Sequence, residues 1–162
     1  MNLSQRMSSV KPSATVAVTE KAAALRAKGI EVIDLGAGEP DFDTAPHICK
    51  AAESAIQHGQ TRYTPVAGSL ELRRAIVEKL RRDNGLAYDT SEVLASCGGK
   101  HSLYLAFHCL FGSGDEVIVP APCWVSYVDM LALAGARARI VKASMEAGFK
   151  LAPAELEAAS QP

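Results

Sequence analysis

The stretch SEVLASCGGKHSLYLAFHCLFGSGDEVIVPAPCWVSYVDMLALAGARARIVKA, residues 91–143, decides the fold because its hydrophobic period switches repeatedly. Val93 to Cys97 is a short apolar run closed by two glycines, which predicts a strand. Lys100 to Phe111 carries Leu103, Leu105, Ala106, Phe107, Leu110 and Phe111, a helix apolar nearly all round and so expected to be covered on both sides. Glu116 to Val119 predicts a second strand, Val125 to Ala134 a helix, and Ala138 to Ala143 a third strand. This βαβαβ order implies right-handed crossovers, a parallel sheet and an α/β fold.

Outward from this block the chain reads as helix and loop. Pro153 to Ala159 predicts a short helix, after which the alternation asks for a further strand, so 162 residues are expected to cover only part of such a sheet. Upstream, residues 1–19 have no clear period and read as an extended arm before a helix from Thr19 or Glu20 to Ala27. Ile30 to Leu35 reads as a strand running into the loop Gly36-Ala37-Gly38-Glu39-Pro40-Asp41. Asp43 or Thr44 is the expected cap of a helix starting at Pro46 and ending near Gly59. Ser69 caps another with Leu72, Ile76, Val77 and Leu80 on one face, ending at Asn84-Gly85.

Composition removes several function classes. With 48% hydrophobic and 22% charged residues the chain is not built for disorder, and a net charge of −1 supplies no field for nucleic acid or an anionic membrane. No apolar run is long enough to span a bilayer and the first ten residues hold no secretory core, which gives a cytoplasmic expectation. Cys49, Cys97, Cys109 and Cys123 form no CxxC pair and are expected to be reduced, mostly buried thiols, with no metal site.

The sharpest chemical feature is Ser96-Cys97-Gly98-Gly99-Lys100, a predicted strand-to-helix turn. Helix N-termini offer unpaired N–H groups, and glycines let a phosphate approach the backbone; a tight turn that uses its glycines for geometry alone is the other reading. Leu94 and His101 stand where a Walker A loop needs glycine and Ser or Thr, and Glu39-Pro40-Asp41 follows Gly36-Ala37-Gly38 where a dinucleotide fold needs a helix start. ATP and NAD therefore weaken as ligands. If the strands are parallel, the glycine turn and Trp124, the only tryptophan, open on one edge of the sheet: phosphate donors on one side, a flat aromatic face on the other. Trp124 as plain core filler is the competing reading. Asp41, Asp43 and the four histidines show no acid–base pairing at a telling spacing.

Five stretches carry a family resemblance: Lys11-Pro12-Ser13-Ala14-Thr15, Gly36 to Asp43, Thr61-Arg62-Tyr63-Thr64-Pro65, Gly98-Gly99-Lys100 and Pro122-Cys123-Trp124-Val125-Ser126-Tyr127. In this order they resemble the N-terminal part of the class I pyridoxal-phosphate-dependent aminotransferases, in particular the bacterial aspartate and prephenate branch. The resemblance implies the first part of a fold type I three-layer αβα sandwich with an incomplete, parallel-rich sheet. It divides the chain into residues 1–44, an arm, helix and substrate loop, and 45–162, the start of the large cofactor domain. It implies pyridoxal 5'-phosphate as cofactor, an amino acid and a 2-oxo acid as substrates, and a homodimer. The Gly99 and Lys100 amides would hold the cofactor phosphate, and Trp124 would stack on its ring beside the substrate. Tyr63 would reach the phosphate of the partner subunit, Gly38 would lie against the substrate α-carboxylate, and Lys11 matches a position tied to dicarboxylate or prephenate selectivity. The family's Schiff-base lysine, and the residues on the ring nitrogen and ring oxygen, match nothing in the 162 residues, so this chain is expected to hold no catalytic residue and to be inactive alone. Two other readings are a non-catalytic dimerisation or interaction module and a small domain for another phosphorylated ligand.

Overall fold

A computed structural model describes residues 4–10, 12–36 and 38–160. Two compact units divide the chain: Met1–Gly38 with Leu103–Pro162, and Glu39–Ser102.

The first unit is built on a parallel strand pair. Strand β1 (Glu116–Ala121) pairs with β2 (Arg137–Lys142) in register, Glu116 opposite Arg137 and Ala121 opposite Lys142. Helix α5 (Ser126–Ala134) makes the crossover and packs on both strands. It ends at Gly135, whose φ of 90° is left-handed and favours glycine. Charge pins the register at one end, since the Glu116 carboxylate takes Arg137 at 2.6 Å and Arg139 at 3.2 Å. Leu131 on α5 is fully buried against Val119 and Ala136, with Phe107, Phe111, Val117, Cys123, Tyr127 and Ala138 packed around them. Helix α6 (Pro153–Ser160) packs on β2, and the 3-10 turn Gln5–Ser9 packs on α5.

Helix α1 (Ala14–Arg26) belongs to this unit and begins earlier than Thr19, because the Ser13 hydroxyl accepts the Val16 N–H and closes the first turn. The extended-arm reading of residues 1–19 is corrected accordingly. Ile30 to Leu35 is not a strand: it runs back along α1, its Val32 carbonyl held by Arg26 at 3.2 Å and Asp34 3.8 Å from the same guanidinium. Ile33 and Leu35 point into solvent, as they must where no neighbouring strand covers them.

The second unit contains helices α2 (Pro46–Gln57) and α3 (Leu70–Asn84). Pro46 starts α2 as expected, but the cap is Ala45, which has no side-chain oxygen; Asp43 and Thr44 stand too early. Ser69 caps α3 through the Leu72 N–H, and Gly85 ends it with a φ of 66°, both as the sequence indicates. Val93 to Cys97 follows a 3-10 turn (Thr90–Glu92) as extended chain without a ladder, so the first strand of the βαβαβ reading is absent among the described residues. The Ala95 N–H ties it to the Ala67 carbonyl at 3.0 Å.

Helix α4 (Gly99–Leu110) spans the division between the units. No described residue of it is buried, and Leu110 is 70% exposed, which corrects the expectation of a helix covered on both sides. Cys49, Cys97 and Cys109 are exposed and Cys123 half-buried, against the expectation of mostly buried thiols. The exposed surface totals 13253 Å². Two independent globules of these lengths would leave only about 9,300 Å² exposed. Isolated residues 1–162 are therefore expected to bind a hydrophobic dye and to associate as concentration rises; a sharp, concentration-independent melt of a monomer would contradict this.

Candidate functional site

The glycine turn before α4 is the best-defined polar arrangement. Gly98 has a φ of 90°, which lets the extended segment fold sharply into the helix, and its N–H donates to the Ser96 carbonyl at 2.8 Å. The Ser102 N–H, bonding the Gly98 carbonyl at 3.1 Å, closes the first helical hydrogen bond. The N–H groups of Gly99 and His101 precede it and find no acceptor among the described residues. A Cβ built at Gly98 or Gly99 meets nothing within 4 Å, so the turn's main chain is uncrowded where those side chains would stand. Unpaired donors, a positive dipole end and an uncrowded main chain together suit an anion such as a phosphate. Lys100 follows in the first turn with its side chain exposed.

Ser96 and Ser102 complete the turn, and sequence reasoning assigned neither a role. Both hydroxyls reach the Gly98 carbonyl, at 3.3 and 3.4 Å, and touch each other. The signal was present in the spacing, since Ser102 stands four residues after Gly98, one helical turn on.

Tyr63, in the same unit as the turn, is fully exposed on the irregular segment before α3, with Thr61 and Arg62 beside it at an open cavity. Trp124 and Gly38 belong to the other unit. Trp124 follows β1 through Ala121, Pro122 and Cys123, so it stands at the carboxyl end of that strand, half-exposed, with its carbonyl accepting the Tyr127 N–H. The space around Gly38 is open: a Cβ there meets nothing within 4 Å. Lys11 lies outside the described residues. No cluster of metal-ligating side chains and no helix long and apolar enough to cross a membrane occur among the described residues. Titration anomalies lie elsewhere: the Arg82 guanidinium holds the Asp83 carboxyl below its ordinary range on the exposed last turn of α3.

Comparison with known proteins places this architecture. The sequence profile of the aminotransferases of class I and II matches residues 30–162. The chain belongs to that family. It is 55% identical over 160 residues to the aspartate/prephenate aminotransferase of Cereibacter sphaeroides, covering 99% of this chain and 40% of that protein. The aspartate aminotransferase of Geobacillus stearothermophilus is 47% identical over all 162 residues, 41% of its length. Among solved structures, the Thermus thermophilus aspartate aminotransferase with maleate superposes with a TM-score of 0.95 at 45% identity, over 99% of this chain and 42% of that one. The Rhizobium meliloti aspartate aminotransferase gives 0.94 at 41% identity, over 100% and 40%. The chain thus spans about two fifths of the length of these relatives, and its fold is an N-terminal part of theirs.

Proposed function

We propose that this chain is part of a pyridoxal-phosphate-dependent aminotransferase that moves the amino group between aspartate or glutamate and a 2-oxo acid. The observation that carries the reading is near-complete coverage of the chain by proteins named aspartate or aspartate/prephenate aminotransferase. The Gly98 turn supports it, because its unpaired N–H groups and uncrowded main chain fit the cofactor's phosphate. Gly99 and Lys100 would hold that phosphate through the main chain, and the half-exposed Trp124 indole would stack on the ring and shield the substrate side from water. Tyr63, fully exposed, would cross a homodimer interface to the partner's phosphate. Gly38 would leave room for the substrate α-carboxylate, and Lys11 would bias the choice among dicarboxylates and prephenate. Residues 1–44 then form the arm and substrate loop, and 45–162 the start of the cofactor domain.

When bound, the cofactor's pyridine ring would supply the electron sink that lets the amino group change carbon skeletons. None of the proposed contacts in this chain is given a proton-transfer role, so residues 1–162 on their own would bind and orient without catalysing. The cytoplasmic gene product containing these residues, loaded with pyridoxal phosphate, is expected to change its near-visible absorption on adding aspartate and to restore it with 2-oxoglutarate. A spectrum indifferent to every amino donor would overturn the assignment.

A further inference from the structure

We propose that the hydroxyls of Ser96 and Ser102 are positioning groups that aim the Gly99 N–H at the bound phosphate; this rests on the cofactor reading above. The two side chains flank the turn in sequence, Ser96 on the extended segment and Ser102 in the first turn of α4. They meet on one atom. Ser96 Oγ lies 3.3 Å and Ser102 Oγ 3.4 Å from the Gly98 carbonyl oxygen, which also accepts the Ser102 N–H at 3.1 Å. The hydroxyls touch each other, and each carries a single proton, so one donates to its neighbour and the neighbour donates to the carbonyl.

A peptide unit is planar and trans, so its N–H points opposite to its C=O. Holding the Gly98 carbonyl toward Ser102 along the helix therefore turns the Gly99 N–H the other way, out of the helix end. Gly98 needs this restraint more than another residue would. With no Cβ and a φ of 90°, it has no side chain to restrain its peptide, and the hydroxyls add to the single main-chain bond from the Ser102 N–H. A lone helical serine often bonds the carbonyl one turn back, which by itself says nothing about a ligand. The second hydroxyl, arriving from outside the helix onto the same oxygen, is what local helix geometry does not supply.

The test uses the full-length apoenzyme containing these residues, titrated with pyridoxal phosphate and separately with pyridoxal, which lacks the phosphate. Losing one hydroxyl bond from the chain predicts a weakening of about 3–10-fold for pyridoxal phosphate in Ser102→Ala and in Ser96→Ala. Affinity for pyridoxal should stay within about twofold of the parent, because only the phosphate meets the Gly99 N–H. The double variant should lose more than either single, because the hydroxyl left in each single still reaches the Gly98 carbonyl, and Ser102→Thr, which keeps the hydroxyl, should retain parental affinity. Equal losses for the two ligands, or no loss for either, would overturn the positioning role. A parent protein that binds pyridoxal but gains nothing from the phosphate would instead overturn the cradle reading itself.

Discussion

Replacing Leu131 by alanine is expected to cost about 3–5 kcal/mol of stability, the largest single loss anticipated for a side chain in this part of the protein. Leu131 is the fully buried side chain of the core around Val119 and Ala136, and it sits on the crossover helix that packs on both strands. Removing three carbons there leaves a void that a two-stranded sheet with one crossover can close only by losing its pairing. The same core holds Cys123 and Tyr127, which flank Trp124 in the sequence, so the loss should reach the proposed cofactor site as well. In the full-length protein the measurement is the denaturant midpoint with and without pyridoxal phosphate, together with soluble yield. Leu131→Met, which nearly conserves volume, should cost less than about 1.5 kcal/mol. A Leu131→Ala midpoint within error of the parent would show that other chain segments carry this core.

Gly68→Ala is expected to cost about 3 kcal/mol, combining a left-handed backbone with overpacking. Gly68 has a φ of 95°, and a Cβ built on it lies 2.8 Å from the Ala95 Cβ, a distance that real contacts do not reach. Its turn is closed by the Gly68 N–H to the Pro65 carbonyl at 2.8 Å, and the adjacent Ala67 carbonyl is the one that holds Ala95. Pushing Ala95 away displaces the segment that leads directly into Ser96 and Gly98. Both stability and cofactor affinity should therefore fall in Gly68→Ala, and Gly68→Ala combined with Ala95→Gly should recover the steric share while leaving the left-handed strain. No recovery in that pair would show that the 2.8 Å approach is not the cause.

Gly85, by contrast, ends α3 with a φ of 66° and no neighbour within 4 Å of a built Cβ, so alanine there should cost no more than the backbone strain of about 1–2 kcal/mol. Two glycines that both have positive φ thus differ in cost because only one of them faces another segment.

The same contrast separates what the residues announce from what they do not. Ser69 before α3, Gly85 after it, Pro46 at the start of α2 and Gly135 after α5 mark helix limits that act through bonds within one turn, and these limits are where the residues place them. The β1–α5–β2 unit is equally legible, because strand, crossover and strand lie within 27 residues and bury one another. Ala45 escaped notice as a cap because an alanine carries no side-chain oxygen to betray it.

Of the candidate site, the glycine turn and Trp124 stand out as residue types with a purpose, whereas the Ser96–Ser102 pair becomes visible only when Gly98 turns left-handed and brings both hydroxyls to one carbonyl. Val93 to Cys97 and Ile30 to Leu35 have strand-like composition, yet neither forms a ladder here. A helix satisfies its main chain from its own next turn, so its local sequence carries most of what places it. A strand satisfies its main chain from a neighbour that can lie anywhere in the chain, and no local pattern says where that neighbour is.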